Sequence, residues 1–170
     1  MNRLFLSLSL IAVSVFAPAF AQQNDVKPTI LKHLKTSRDF TLKVAEAMPA
    51  ADYSYKLTPA QMSFGAQLVH LSSDLDYFLS YFQGEKSKQT KPSPDNKEAV
   101  VAFVKAQYDH AIGTVEKLAP EQLSKTYKSD DGEMTGLDLL IGMLDHCTHH
   151  RASAEMYLRA KGIKPPEYQF

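Results

Sequence analysis

Four stretches of this chain repeat apolar residues at the helical period, and each is closed by a residue that a helix does not easily pass: Pro49, Gly84, Pro120, and Gly162 followed by Pro165. The first is expected over Pro28 to Met48, carried by Ile30, Leu34, Phe40 or Thr41, Val44, and Ala47 or Met48. The second is expected from Ser63 to Phe82, with Phe64, Leu68, Leu71, Leu75, Phe78, Leu79 and Phe82 as its stripe. The third opens at Pro94 or Asp95 and runs through Val100, Val101, Val104, Tyr108, Ala111, Ile112, Val115 and Leu118. The fourth has the clearest start, because Thr135 and Asp138 stand at the two ends of a capping box, and it continues to Ala160. Helices of roughly 20 residues are about 30 Å long, and packing four such stripes on one another makes a single core. The expected fold is therefore all-α, a four-helix bundle, and no segment reads as a strand pair.

The connections differ in character. Residues 50 to 62 hold Tyr53, Tyr55, Leu57 and a Thr58-Pro59-Ala60-Gln61 turn, which suits a packed connection rather than a helix. Residues 85 to 94 are polar, with three lysines and two prolines, and are expected to form the most mobile internal loop.

The N-terminus reads as a secretory signal. Met1-Asn2-Arg3 is followed by an apolar run from Leu4 to Phe16 and then by Ala19-Phe20-Ala21, with Pro18 interrupting. That run is shorter than the roughly 18 residues a membrane span needs. Cleavage after Ala21 is expected, leaving one domain over residues 22 to 170 in the periplasm or outside the cell, with no membrane attachment after cleavage. Lysines and arginines number 19, as do aspartates and glutamates, so the chain offers no net field for nucleic acid. The single cysteine, Cys147, excludes an intrachain disulfide and reads as a small buried apolar residue.

The histidines carry the chemistry. His146 and His150 are four apart on the best-marked helix, so their rings lie one above the other on one face, as two imidazoles offered to one metal ion would. That face runs on through Leu139, Met143, Ser153 and Tyr157, at the edge of the core. A site with an open coordination position needs a third protein ligand, and zinc or nickel suits neutral imidazoles. His70, in the middle of the second helix on a face with Gln67, Asp74 and Tyr77, is the best candidate. Asp74, one turn on, is expected to support His70 rather than bind the ion. His149, turned by about 100 degrees, is the reserve ligand, and His33 and His110 read as surface residues. From the residues alone a second reading stands beside this one, in which the histidines are hydrogen-bonded polar groups at the core edge.

The stretch Met134 to Tyr168, with His146-Cys147-Thr148-His149-His150-Arg151 at its heart, resembles the last helix of the DinB-like, damage-inducible-type family. Ser63-Phe64-Gly65-Ala66-Gln67-Leu68-Val69-His70 resembles that family's second-helix motif, and the likeness extends over the mature chain. The resemblance implies a four-helix bundle holding a divalent metal through His70, His146 and His150, with the three nitrogens within roughly 3.5 Å of one another if bond lengths are zinc-like. It implies a metal-dependent hydrolase or transferase of unknown substrate, or alternatively a non-catalytic periplasmic metal- or ligand-binding module, and it admits a homodimer. Tyr77 and Tyr157 are candidates to orient substrate or pass a proton. No catalytic residue is assigned, because the family does not fix the reaction. Ala152 and Ser153 depart from the family's usual Gly-Gln after His-Arg, which removes the Gln side chain and with it any contact it would make there to a ligand histidine's surroundings or to a substrate.

Overall fold

The structure, a computed structural model, describes residues 26 to 85, 89 to 130 and 132 to 169. The expected signal segment over residues 1 to 21 and the centre of the polar loop, residues 86 to 88, lie outside the described residues. Four long helices are present: α1 (Lys27–Ala47), α2 (Phe64–Gln83), α3 (Lys97–Lys117) and α5 (Gly136–Ala160), with a five-residue α4 (Pro120–Ser124) between the last two. Each long helix falls within a few residues of its expected span. No described helix is long and apolar enough to cross a membrane.

Local chemistry explains most of the boundaries. Ser63 caps α2 by accepting from the Ala66 amide at 3.2 Å, and Asn96 caps α3 by accepting from the Ala99 amide at 3.0 Å. Thr135 Oγ1 accepts from the Asp138 amide at 3.1 Å while Asp138 Oδ2 accepts from the Thr135 amide at 3.0 Å, so the expected capping box closes in both directions. Gly84 ends α2 at φ +75°, a left-handed conformation that costs glycine nothing.

Around the bundle the helices follow the order α1, α3, α2, α5, so α2 neighbours α3 and α5 while α1 and α2 lie across a diagonal. A connection between diagonal helices must span one end of the bundle, and residues 48 to 63 do so with a single 3-10 turn at Ala50–Asp52. Tyr53 pins this connection: its ring packs edge-on against Phe64 and its hydroxyl donates to the Ala45 carbonyl at 2.8 Å. At Gly65 a methyl group would collide with the Pro94 carbonyl oxygen, so the start of α2 can seat against the chain entering α3 only through glycine. The core comprises Leu34, Phe40, Val44, Leu68, Leu71, Leu75, Leu79, Val104, Tyr108, Leu140, Met143 and Leu158, all essentially without solvent contact.

One expectation is overturned. Between α4 and α5 the chain forms an antiparallel hairpin, β1 (Thr126–Ser129) with β2 (Gly132–Thr135), in which Thr126 faces Thr135 and Ser129 faces Gly132. Both strands are only four residues long and half of their residues are exposed, so they lack the run of apolar positions that marks a strand, and Gly132 sits at φ +111°, a backbone conformation that glycine adopts without strain.

Candidate metal centre

Because α2 and α5 are neighbours, the middle of one faces the middle of the other, and the face expected to carry the histidines is partly buried between them. His70 comes from α2, and His146 and His150 come from successive turns of α5. One nitrogen from each lies within 4.8 Å of the other two, and among the described residues this is the group of histidine, cysteine and acidic side chains placed to share an ion. Ring centroids are 5.1 Å apart for His70 and His146, and 4.5 Å apart for His70 and His150 and for His146 and His150.

Side chains beside the cluster hold the rings in place. His150 Nδ1 lies 2.5 Å from Gln67 Oε1, a contact that makes Nδ1 the protonated nitrogen and leaves Nε2 as the metal-type donor. Asp74 spreads its two oxygens between two rings, Oδ2 at 2.9 Å from His146 Nε2 and Oδ1 at 3.6 Å from His70 Nδ1. The shorter contact is thus to His146, not to the expected partner His70. Its angle is not that of a hydrogen bond, and His146 Nε2 is left buried with no hydrogen-bond partner. A buried imidazole nitrogen in that position is costly unless something accepts its lone pair or its proton.

Burial favours the neutral form of two of the rings, His146 and His150, and the neutral form is the one that binds metal. Burial lowers the His150 pKa from 6.5 to about 4, with the charges of His146, His70 and His149 adding to the effect. His146 is also lowered, by burial first, against the opposing pull of Asp74.

The remaining candidates fall elsewhere. His149 is exposed and outside the cluster, although its ring packs edge-on against His150 at 4.9 Å. His110 is exposed and sits 3.6 Å from Asp76, whereas His33 is half-buried beside α5 rather than fully on the surface. Tyr157 is inside the core with its hydroxyl donating to the Met62 carbonyl at 2.6 Å, so it cannot serve a substrate. The Tyr77 hydroxyl is engaged with Tyr81 at 2.8 Å and donates to Asp130 at 2.9 Å, and this pairing with Tyr81 raises its pKa. Cys147 is buried as expected, and burial pushes its thiol up to about 11, which leaves it inert as a nucleophile. The residue whose role the sequence did not single out is Gln67. It lies one turn before His70 on the same face, and that position was its only mark.

Beside Asp74 a cleft of about 270 Å³ opens between α2, α3 and the chain around Lys91, with Ser73, Asp76, Tyr77 and Gln89 among its lining residues. It is large enough for a small molecule and shares Asp74 with the histidine cluster.

A helical bundle with a three-histidine cluster between its second and last long helices defines a class of helical bundles with a candidate metal site. The DinB family model matches residues 21–170, and the chain belongs to the DinB family. It is similar to the uncharacterized protein YjoA of Bacillus subtilis, 24% identical over 145 residues that make up 82% of this chain and 94% of that protein. The crystal structure of YjoA, a DinB-like protein, matches with a TM-score of 0.70 at 25% identity, covering 83% of this chain and 97% of that one. A DinB-like protein from Bacillus cereus matches with a TM-score of 0.75 at 16% identity, over 84% and 97% of the two chains. YfiT from Bacillus subtilis, described as a probable metal-dependent hydrolase with an unusual four-helix bundle topology, matches with a TM-score of 0.64 at 14% identity, over 89% and 97%.

Proposed function

We propose that this protein binds a divalent metal ion, zinc or nickel, through His70, His146 and His150 and is a metal-dependent hydrolase acting on a small substrate. The observation that carries this reading is the convergence of three partly buried imidazoles within 4.8 Å, one of them with a buried nitrogen left without a hydrogen-bond partner. The donor set fits such an ion: the rings come from facing helices, and two of them are kept neutral by burial. The description of YfiT as a probable metal-dependent hydrolase supports the same class.

Within this reading each residue has a task. Gln67 fixes the tautomer and tilt of His150, and Asp74 sets a carboxylate against His146 and His70 from the side of the cleft, as a close charge rather than a hydrogen-bond acceptor. The cleft beside Asp74 receives the substrate. A divalent ion held by His70, His146 and His150 would supply a Lewis acid and lower the pKa of a water toward about 7. Asp74 is the ionisable side chain shared by ligand cluster and cleft, which makes it the group placed to hold a proton during hydrolysis.

The test is hydrolysis of a panel of small ester, amide and phosphoester substrates by tag-free protein, metal-free and after addition of zinc or nickel. Metal-dependent turnover that disappears in His146→Ala supports the proposal. Stoichiometric metal binding without turnover of any substrate class would favour a non-catalytic binding module. We further propose that the protein is exported with residues 1 to 21 removed, on the charged, apolar and small-residue zones of that segment. N-terminal sequencing of protein from the native host reads this directly, and an intact Met1 contradicts it.

A further inference from the structure

Arg151 follows His150 on α5, but one residue turns a helix by about 100 degrees, so its side chain leaves the histidine cluster and enters the space between α5 and α1. There it is only 6% exposed. Its guanidinium lies over the Phe40 ring at 4.7 Å, donates to Ser37 Oγ at 2.9 Å and reaches Thr148 Oγ1 at 3.4 Å. A guanidinium has five N–H donors, and Nε is buried with no hydrogen-bond partner. Among the described residues no carboxylate pairs with it. Buried arginines are ordinarily paired, because an uncompensated charge away from water is strongly unfavourable. Two hydroxyls and one ring face do not neutralise it.

A cavity of about 330 Å³ adjoins this guanidinium between α1, α5 and the chain at Tyr168 and Gln169. Its polar wall is His33, Thr36, Ser37, Asp145 and Thr148, and its apolar wall is Ile30, Leu144 and Ile141. Ile141 is a large apolar residue on the helix surface with 45% of its area exposed, which the core does not require. An apolar wall with a few convergent polar groups and one buried charge is the composition of a small-ligand site. The polar end is rigid, since Ser37 Oγ is held 2.9 Å from the Tyr108 hydroxyl in the core.

We propose that this cavity is a second ligand site, distinct from the histidine cluster, that takes a small organic carboxylate: the planar anion on Arg151, flanked by Ser37 and Thr148, and a short apolar body on Ile30, Leu144 and Ile141. The planar fork of guanidinium matches a carboxylate. Asp145 also lines the cavity on its exposed side, and its charge repels a dianion such as phosphate more strongly than a monoanion.

The experiment is a titration of nitrogen-15-labelled, chelator-treated protein with benzoate, following the Arg151 Nε–H resonance, which is assigned by its absence in Arg151→Lys. Removing metal first prevents the carboxylate from reporting on the histidine cluster. The expected result is a saturable shift of that resonance, kept in His150→Ala and weakened at least about tenfold in Ile141→Asp, a surface substitution that adds a negative charge to the apolar wall. Sodium phosphate at equal ionic strength should not reproduce it. The proposal is overturned if the resonance does not move at any soluble benzoate concentration, if phosphate shifts it equally, or if Ile141→Asp binds benzoate as well as the unaltered chain. None of these outcomes depends on whether the histidines hold an ion.

Discussion

Gln67 Oε1 and His150 Nδ1 lie 2.5 Å apart across the α2–α5 interface, though 83 positions separate the two residues in the chain. This contact decides which nitrogen of His150 is free to bind an ion and ties the ring to the helix that carries His70. Gln67→Leu should therefore weaken metal affinity by about 10- to 100-fold, the usual effect of losing a side chain that orients a ligand, without loss of helical content. Competition against a chromophoric chelator, alongside far-ultraviolet circular dichroism, measures both. An affinity equal to that of the unaltered protein would show that the contact does not position the ligand.

Asp74 touches two of the three rings from the cleft side. Asp74→Asn keeps the shape and removes the charge, and the expected loss is again about 10- to 100-fold in metal affinity. A loss of all metal, equal to that in a histidine variant, would instead make Asp74 a ligand, which its 2.9 Å approach to His146 Nε2 makes a specific alternative.

Acid should destabilise the metal-free protein through His150. Its pKa is lowered from 6.5 to about 4 in the folded chain, so between those values the unfolded chain binds the proton and the folded chain does not. Stability attributable to this ring is fully present above pH 6.5 and is lost as pH falls toward 4, and His146, also lowered, acts in the same direction. Urea unfolding of metal-free protein at steps across that window should show the decline, and it should be smaller in His150→Gln. An identical decline in that variant would assign it to other groups.

The capping box at the head of α5 is exposed and local. Thr135→Ala should cost about 1 kcal/mol, within the range for loss of an N-cap side chain, read as a lower urea midpoint at unchanged slope. No change would mean that the hairpin alone positions the start of the helix.

The same cap shows why much of the fold was legible: Thr135, Asp138, Ser63 and Gly84 act within a few residues of themselves, and the apolar stripes report a period that only helices satisfy. The hairpin escaped notice because two four-residue strands with half their residues exposed offer too few apolar positions to show a period, leaving only Gly132 to mark it. In the site, the spacing of His146 and His150 showed that they share a face. The partners of those rings were not legible, since Gln67 meets His150 and Asp74 meets His146 only through the packing of α2 on α5. Arg151 was read as part of a family motif, and nothing in its neighbours in sequence announces that it is buried beside Ser37, 114 positions away.

The central claim is that His70, His146 and His150 hold one ion, and the metal content of tag-free protein after zinc loading and desalting tests it most directly. The account predicts a stoichiometric ion in the unaltered chain, its loss in each of His70→Ala, His146→Ala and His150→Ala with helicity retained, and its retention in His149→Ala and His110→Ala. Full metal content in His70→Ala, or loss of the ion in His149→Ala, would contradict it.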